Sequence, residues 1–129
     1  MKKIIFEKYH GNGNDFIIID SRDNNIYNNF LYKNSFDVKD LCNRNFGIGA
    51  DGIIFLINPK ESNDAKMIIY NSDGSEAEMC GNGIRCLIEF LKNESANKKD
   101  IFKIETKAGI KLAKYEKNMI TVSMGLPIL

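Results

Sequence analysis

The segment CGNGIRCLIEFLK (80–92) contains the strongest periodic pattern of the chain. Its apolar residues Ile84, Leu87, Ile88 and Leu91 lie at i, i+3, i+4 and i+7, which places them on one face of a helix. The pattern predicts an amphipathic helix over 82–94. Because a helix of this kind buries its apolar face, the rest of the chain must supply a surface that covers it.

Apolar runs rich in Ile and Phe flank this helix on both sides and predict strands. The predicted strands are 3–9, 16–20, 53–57 and 66–71 before the helix, and 101–106, 110–115 and 119–123 after it, the last three antiparallel. A loop rich in Gly and Asn is predicted over 10–15, and turns are predicted at 108–109 and 117–118. Asp37 is a predicted cap for a short helix over 38–45, and residues 21–35 are predicted to be irregular. Strands that surround one long helix indicate an α+β fold, with residues 1–129 as a single domain.

Composition narrows the function classes. The chain has 129 residues with 18 Lys+Arg, 17 Asp+Glu and a net charge of +1, so charge gives no reason to expect nucleic acid or an acidic membrane as a partner. Its apolar runs are far shorter than a bilayer-spanning helix, and we expect no signal peptide. Three cysteines without a CxxC pair favour a reducing, cytoplasmic compartment.

The loop Gly47-Ile48-Gly49-Ala50-Asp51-Gly52 matches the dinucleotide-binding pattern G-x-G-x-x-G. That motif requires a strand before it and a helix after it, so that phosphate meets the helix N-terminus. Here a helical segment precedes the loop and the strand 53–57 follows. The order favours a tight turn into a buried strand rather than a nucleotide site.

Cys80 stands at the predicted start of the long helix. Unpaired N–H groups and the positive end of the helix dipole favour an anion there, either a Cys80 thiolate or a substrate carboxylate held by Gly81, Asn82 and Gly83. The glycines leave room for a ligand to approach the backbone. This setting predicts a reactive thiol, and a small buried cysteine is the alternative.

The other cysteines lack such a setting. Cys42 and Cys86 lie within helical patterns and are predicted to pack in the core. The cysteines are not at metal-ligand spacing, so no zinc site is expected. His10 favours a loop-anchoring role, although a nucleophilic pair of Cys80 with His10 stays open.

Asn14, Asn71 and Asn82 each lie in or beside a glycine loop. A side-chain amide offers a donor and an acceptor together, which suits a zwitterionic amino acid. Ordinary turn chemistry accounts for these asparagines equally well. Both interpretations stay open from the residues alone.

In order, the segments HGNGNDF (10–16), RNFGIGADG (44–52) and YNSDGSEAEMCGNGIRC (70–86) resemble diaminopimelate epimerase. The resemblance covers the whole chain but only the N-terminal half of that enzyme. The segment MGLPIL (124–129) resembles the point where the family's chain crosses to its second half. Proline racemases share a Cys-Gly at a helix start but typically have His where Asn82 stands.

The resemblance implies a mixed, mostly antiparallel sheet wrapped around one central helix. It implies a cofactor-independent epimerase, without pyridoxal phosphate or metal, that interconverts LL- and meso-diaminopimelate for lysine and peptidoglycan synthesis in the cytoplasm. Cys80 would be one of two acid/base cysteines. The substrate, a small amino acid, would be bound by Asn14, Asn71, Gly81 and Asn82.

The chain departs from the family in two respects. Some members have a substrate-binding Gln where Gly52 stands, and this chain lacks the second catalytic cysteine and the other contacts of the C-terminal half. We therefore expect the isolated chain to be incomplete. Three hypotheses follow: half of a longer or split enzyme, a homodimer that brings two Cys80 residues together, or a non-catalytic binding module. A related racemase of the same fold is a further alternative.

Overall fold

The computed structural model describes residues 6–11, 13–34, 36–78, 81–94, 100–116 and 119–123. The strands are β1 (Glu7–Gly11), β2 (Asn14–Asp20), β3 (Gly52–Ile57), β4 (Ala65–Asn71), β5 (Glu76–Ala77), β6 (Ile101–Thr106), β7 (Gly109–Glu116) and β8 (Met119–Ser123). The helices are α1 (Ile26–Lys33), α2 (Val38–Cys42) and α3 (Gly81–Lys92). No helix in these ranges has the length and apolar character needed to cross a bilayer.

The described strands form one sheet in the order β1-β2-β3-β4-β6-β7-β8, with β5 paired to β4. Among the strand pairs of the described residues, only β2–β3 and β4–β6 are parallel. The antiparallel arrangement of β6, β7 and β8 confirms the prediction for the end of the chain. The sheet is therefore mixed and mostly antiparallel, as expected.

Helix α3 lies against one face of this sheet and contacts β1, β2, β3, β7 and β8. Because β1 and β8 lie at opposite ends of the sheet, contact with both requires the sheet to curl around the helix. The predicted apolar face is fully buried: Ile84, Leu87 and Ile88 have an exposed fraction of 0% and Leu91 of 3%. The α+β class with a central helix is thus confirmed.

Strands β2 and β3 separate the core into two layers, one on each face of the sheet. On β3, Ile54 and Leu56 face α3, whereas Ile53 and Phe55 face the opposite layer, which includes Val38 of α2. All four strand residues have an exposed fraction of 0%. A strand covered on both faces explains why 53–57 reads as a continuous apolar run.

Helix α1 corrects the prediction that residues 21–35 are irregular. Its aromatic residues Tyr27 and Phe30 pack on Phe55, with ring centroids 4.8 and 5.1 Å away. These ring contacts favour helix in a segment whose asparagines favour turns. Tertiary packing therefore overrides the local composition.

The hairpin β1–β2 is a second correction. Strands β1 and β2 extend into the predicted loop over 10–15 as far as Gly11 and Asn14, and these two residues pair directly in the sheet. Gly13 has φ +89°, a backbone conformation that L side chains rarely adopt. The predicted turn at 117–118 and the segment 124–129 lie outside the described residues, as does the start of the predicted strand 3–9.

Helix α2 is shorter than predicted. Asp37 caps it through its carboxylate, which accepts a hydrogen bond from the Lys39 N–H at 2.8 Å, as expected. The helix ends at Cys42 rather than at 45, because the carbonyls of Leu41 and Cys42 accept hydrogen bonds from the glycine loop that follows.

Candidate functional site

The N-terminus of α3 is the centre of the candidate site. The helix begins at Gly81, and both Gly81 and Asn82 are partly buried. The first N–H groups of a helix have no intrahelical acceptor and attract anions. Cys80, the predicted catalytic residue, lies outside the described residues, and its proposed role rests on its covalent position directly before this helix start.

The structure brings two distant sequence motifs together at this point. The side-chain amide of Asn82 donates a hydrogen bond from Nδ2 to Oδ1 of Asn14 at 2.7 Å. We refer to Asn14 and Asn82 as the amide pair. Asn14 begins β2, immediately after the β1–β2 turn, so the hairpin carries its amide to the helix N-terminus. Two of the predicted substrate-binding residues are thus in direct contact.

Asp51, near the end of the glycine loop, accepts a hydrogen bond from Asn14 of the amide pair. One of its carboxylate oxygens, Oδ2, accepts hydrogen bonds from Nδ2 of Asn14 at 3.3 Å and from the Asp15 N–H at 2.9 Å. Its main-chain carbonyl accepts a hydrogen bond from the Ser72 N–H at 3.0 Å. Asp51 therefore joins the loop of Asn14 to the loop that follows Asn71.

A charged cluster surrounds this contact and consists of Asp15, Asp51, Arg44 and Lys8. Arg44 donates to both oxygens of Asp15, at 2.8 and 3.2 Å, and to Oδ1 of Asp51 at 3.2 Å. The Nζ of Lys8 lies 3.0 Å from Oδ2 of Asp15. Hydrogen bonds from Arg44, then from Lys8 and Asp51, hold the pKa of the buried Asp15 carboxyl well below its usual range. We call this set the carboxylate cluster.

Asn71 occupies the end of β4, next to Gly52 in the sheet register. Its Nδ2 donates to Oγ of Ser75 at 3.1 Å, and its main chain forms the turn into β5. Among the described residues, no hydrogen bond joins Asn71 to the amide pair. Its connection runs through the β3–β4 ladder and the contact between Ser72 and Asp51.

The glycine loop before β3 is a structural turn, as predicted. Its N–H groups from residues 47 to 50 donate to carbonyls of Asn43, Leu41 and Cys42. A Cβ on Gly47 would lie 2.0 Å from the carbonyl oxygen of Asp40, so only glycine fits this close approach. All four N–H groups donate to main-chain carbonyls of α2 or of Asn43, the residue directly after it, which leaves none of the four for a phosphate.

The remaining sequence candidates fall outside the site. Cys42 and Cys86 are buried in the two core layers, which confirms their predicted packing role. Burial raises the pKa of the Cys42 thiol to about 11. His10 is an exposed residue of β1. Within the described ranges, no group of His, Cys, Asp and Glu side chains could hold a metal ion.

Comparison with known proteins identifies the family. The diaminopimelate epimerase family model matches residues 6–129. The chain belongs to the diaminopimelate epimerase family. It is 54% identical over 126 residues to the diaminopimelate epimerase of Prochlorococcus marinus strain NATL1A, and 47% identical over 132 residues to that of Methanocella arvoryzae. These alignments cover 96% and 99% of this chain but only 44% and 46% of the relatives, so the chain spans about half their length.

Solved structures of low sequence identity share the fold. A hydroxyproline epimerase from Agrobacterium vitis superimposes with a TM-score of 0.63 at 15% identity, over 92% of this chain and 40% of that one. A PhzF-family phenazine biosynthesis protein from Bacillus anthracis gives a TM-score of 0.57 at 20% identity, over 89% of this chain and 36% of that one. Both matches support the curled sheet around a central helix.

The carboxylate cluster is the part of the site that the sequence analysis did not predict. Asp15, Arg44 and Asp51 all lie within the family-like motifs 10–16 and 44–52, yet their pairing requires contacts between residues 29 and 36 positions apart. The signal available in the sequence is an aspartate at the start of each of two buried strands, Asp15 in β2 and Asp51 directly before β3. The spacing of the two aspartates in the sequence does not by itself predict that they contact each other.

Gly52, the position at which the resemblance implies a Gln in some family members, packs closely against the neighbouring strands. A Cβ at this position would lie 2.7 Å from the carbonyl oxygen of Tyr70 and 3.3 Å from a ring carbon of Phe16. A larger side chain would therefore require a shift of the β3–β4 backbone. In this chain, glycine suits the close packing of neighbouring strands.

Proposed function

We propose that this chain forms the first half of a diaminopimelate epimerase active site and inverts one α-carbon of LL-diaminopimelate to give the meso form. Cys80 acts as one of the two acid/base groups, and Asn14, Asn71, Gly81 and Asn82 bind the substrate. The second cysteine comes from a half that this chain does not contain. The isolated chain is accordingly incomplete.

The chemistry is a proton removal on one face of the carbon and a proton delivery on the other. The Cys80 thiolate takes the α-proton, so that the C–H bond breaks and an S–H bond forms. The electron pair left on carbon is stabilised by donors at the adjacent carboxylate. A thiol on the opposite face then gives its proton to carbon and becomes the thiolate, and the reverse reaction exchanges the two roles.

The contact between Asn14 and Asn82 is the observation that carries this proposal. It places the end of the first motif, 68 residues away in sequence, against the helix start that follows Cys80. At this point, backbone N–H groups suit a carboxylate, and amide side chains suit the other polar groups of an amino acid. A purely structural hairpin has no need to meet the helix N-terminus through side-chain amides.

A chimeric enzyme tests the proposal. Residues 1–129 replace the aligned first part of the Prochlorococcus marinus relative, whose own second half completes the site. In heavy water, the chimera is expected to convert LL-diaminopimelate to the meso form with uptake of deuterium at the α-carbon. Cys80→Ala should abolish exchange, whereas Cys86→Ala, the same substitution on the buried face of α3, should retain it. A folded chimera without exchange, beside an active parent enzyme, would contradict the proposal.

The same assay examines the isolated chain. We expect the 129-residue chain alone to show weak exchange or none, because only one acid/base group is present. Exchange that depends on Cys80 and rises with protein concentration would instead support a homodimer in which a second copy supplies the opposite face. Sedimentation over the same concentration range would detect that dimer directly.

A further inference from the structure

The hydrogen bond between Asp51 and Asn14 determines which end of the Asn14 amide faces Asp51. A carboxylate only accepts hydrogen bonds, whereas a side-chain amide has one donating and one accepting end. The group of Asn14 that faces Asp51, at 3.3 Å, must therefore be its NH2. Because the amide is planar, its carbonyl oxygen then faces the opposite way, toward α3.

The same logic continues to the next amide. The Oδ1 of Asn14 accepts, so the group of Asn82 that meets it at 2.7 Å must be an NH2. The Oδ1 of Asn82 is in turn directed away from Asn14. One acceptor at Asp51 thus sets the orientation of two amides in sequence, and amide orientation decides which polar groups of a ligand they bind.

We propose that Asp51 is a positioning residue for the epimerase site, acting through Asn14 so that the amide pair presents a carbonyl oxygen of Asn14 toward the helix start. This inference rests on the proposed function and deepens it. One lone pair of this oxygen accepts from Asn82, and its second lone pair is an acceptor for a cationic amine, which an amino-acid substrate carries beside the carboxylate that the helix N-terminus attracts. Asp51 itself does not touch the reacting atoms.

The backbone of Asp15 holds Asp51 in place and allows a discriminating pair of variants. The Asp15 N–H donates to Oδ2 of Asp51 at 2.9 Å and can only donate. In Asp51→Asn, this N–H therefore selects the orientation that keeps an oxygen toward Asp15 and Asn14. The new NH2 group then faces Arg44, whose half-exposed side chain can move into solvent. Asp51→Asn removes the charge and keeps the acceptor, whereas Asp51→Ala removes both.

The test measures kcat and KM of these variants in the chimera described above. We expect Asp51→Ala to lower kcat/KM by roughly tenfold or more, about the net contribution of one well-placed hydrogen bond. Asp51→Asn should stay within about threefold of wild type. Asp23→Ala, an exposed aspartate of the β2–α1 connection, serves as the matched control. Urea denaturation of each variant separates stability from positioning.

A second readout does not depend on activity. In the 129-residue chain, the side-chain NH2 signals of Asn14 and Asn82 in a ¹⁵N spectrum should both shift in Asp51→Ala. Neither should move substantially in Asp51→Asn. Signals of Asn71, whose amide bonds to Ser75, provide the internal reference.

Two results would overturn the inference. Equal kcat/KM in Asp51→Ala and wild type, with unchanged amide signals, would show that Asp51 does not orient the amides. Equal impairment of Asp51→Asn and Asp51→Ala would assign the effect to charge rather than to acceptance. Absence of exchange in the wild-type chimera would instead reject the proposed function, while the spectra would still decide the role of Asp51.

Discussion

Alkylation of the native chain is expected to single out Cys80 among the three cysteines. The reagent iodoacetamide reacts with the thiolate form. Burial, aided by the nearby charge of Asp15, raises the pKa of the Cys42 thiol to about 11. At about pH 8, roughly one Cys42 thiol in 1000 is then ionised, against about one in four for an unperturbed thiol with a pKa of about 8.5.

The expected rate difference follows from this ionised fraction. The deficit of thiolate at Cys42 is about 250-fold relative to a free thiol. A more basic thiolate is also a better nucleophile, and a Brønsted coefficient of about 0.4–0.5 recovers about 13-fold. The remaining deficit of about 20-fold in the rate at Cys42 is a lower bound, because its exposed fraction is only 4%. Cys86 has an exposed fraction of 1%, so the reagent reaches it even less. A helix N-terminus lowers the pKa of a thiol and thereby raises its ionised fraction. We therefore expect Cys80 to be labelled before Cys42.

The assay uses limiting iodoacetamide on the native chain, followed by proteolysis and mass spectrometry of the three cysteine peptides. In concentrated urea, all three should be labelled at similar rates, which controls for peptide recovery. Labelling of Cys42 as fast as Cys80 in the native chain would refute the burial argument. An unlabelled Cys80 would refute its assignment as a reactive thiol.

Three further predictions concern stability. Gly47→Ala should cost about 1–3 kcal/mol in urea denaturation, because its Cβ would meet an α2 carbonyl oxygen at 2.0 Å; an unchanged midpoint would contradict the close approach. Phe55→Leu should cost about 1–3 kcal/mol through lost ring contacts with α1, measured in the same way. Because Arg44 lowers the pKa of Asp15 in the folded state, the stability due to Asp15 is present above its ordinary pKa of 3.8 and is lost as the pH falls below it. The stability gap between wild type and Asp15→Asn should therefore narrow from pH 7 to pH 3, and a constant gap would contradict the ion pair.

Local patterns predicted most elements of the fold. The spacing of four apolar residues placed the long helix at 82–94, and the structure has it at Gly81–Lys92. Helix α1 was missed because its asparagines favour turns, whereas its stability comes from rings packed on Phe55. The parallel pairing of β2 with β3 involves residues about 36 positions apart, a separation that apolar runs do not encode.

The candidate site, like the fold, was predicted where it depends on contiguous sequence and missed where it depends on contacts between distant residues. The segment that contains Cys80, Gly81 and Asn82 is contiguous, so a sequence can point to it. The contact from Asn82 to Asn14 and the support of Asn14 by Asp51 depend on how the sheet folds. Sequence reasoning found the residues proposed to bind substrate and missed the carboxylate that orients them.

The charge of the carboxylate cluster explains how the proposed anion-binding site tolerates two aspartates. Asp15 and Asp51 alone would repel a substrate carboxylate at the start of α3. Arg44 and Lys8 supply two positive charges within 3.2 Å of their oxygens, so the four side chains have a formal net charge of zero. A carboxylate at position 51 also accepts on both sides, from Asn14 and from Arg44, which an amide cannot do. The cluster can therefore fix the amide pair while the helix N-terminus keeps its preference for an anion.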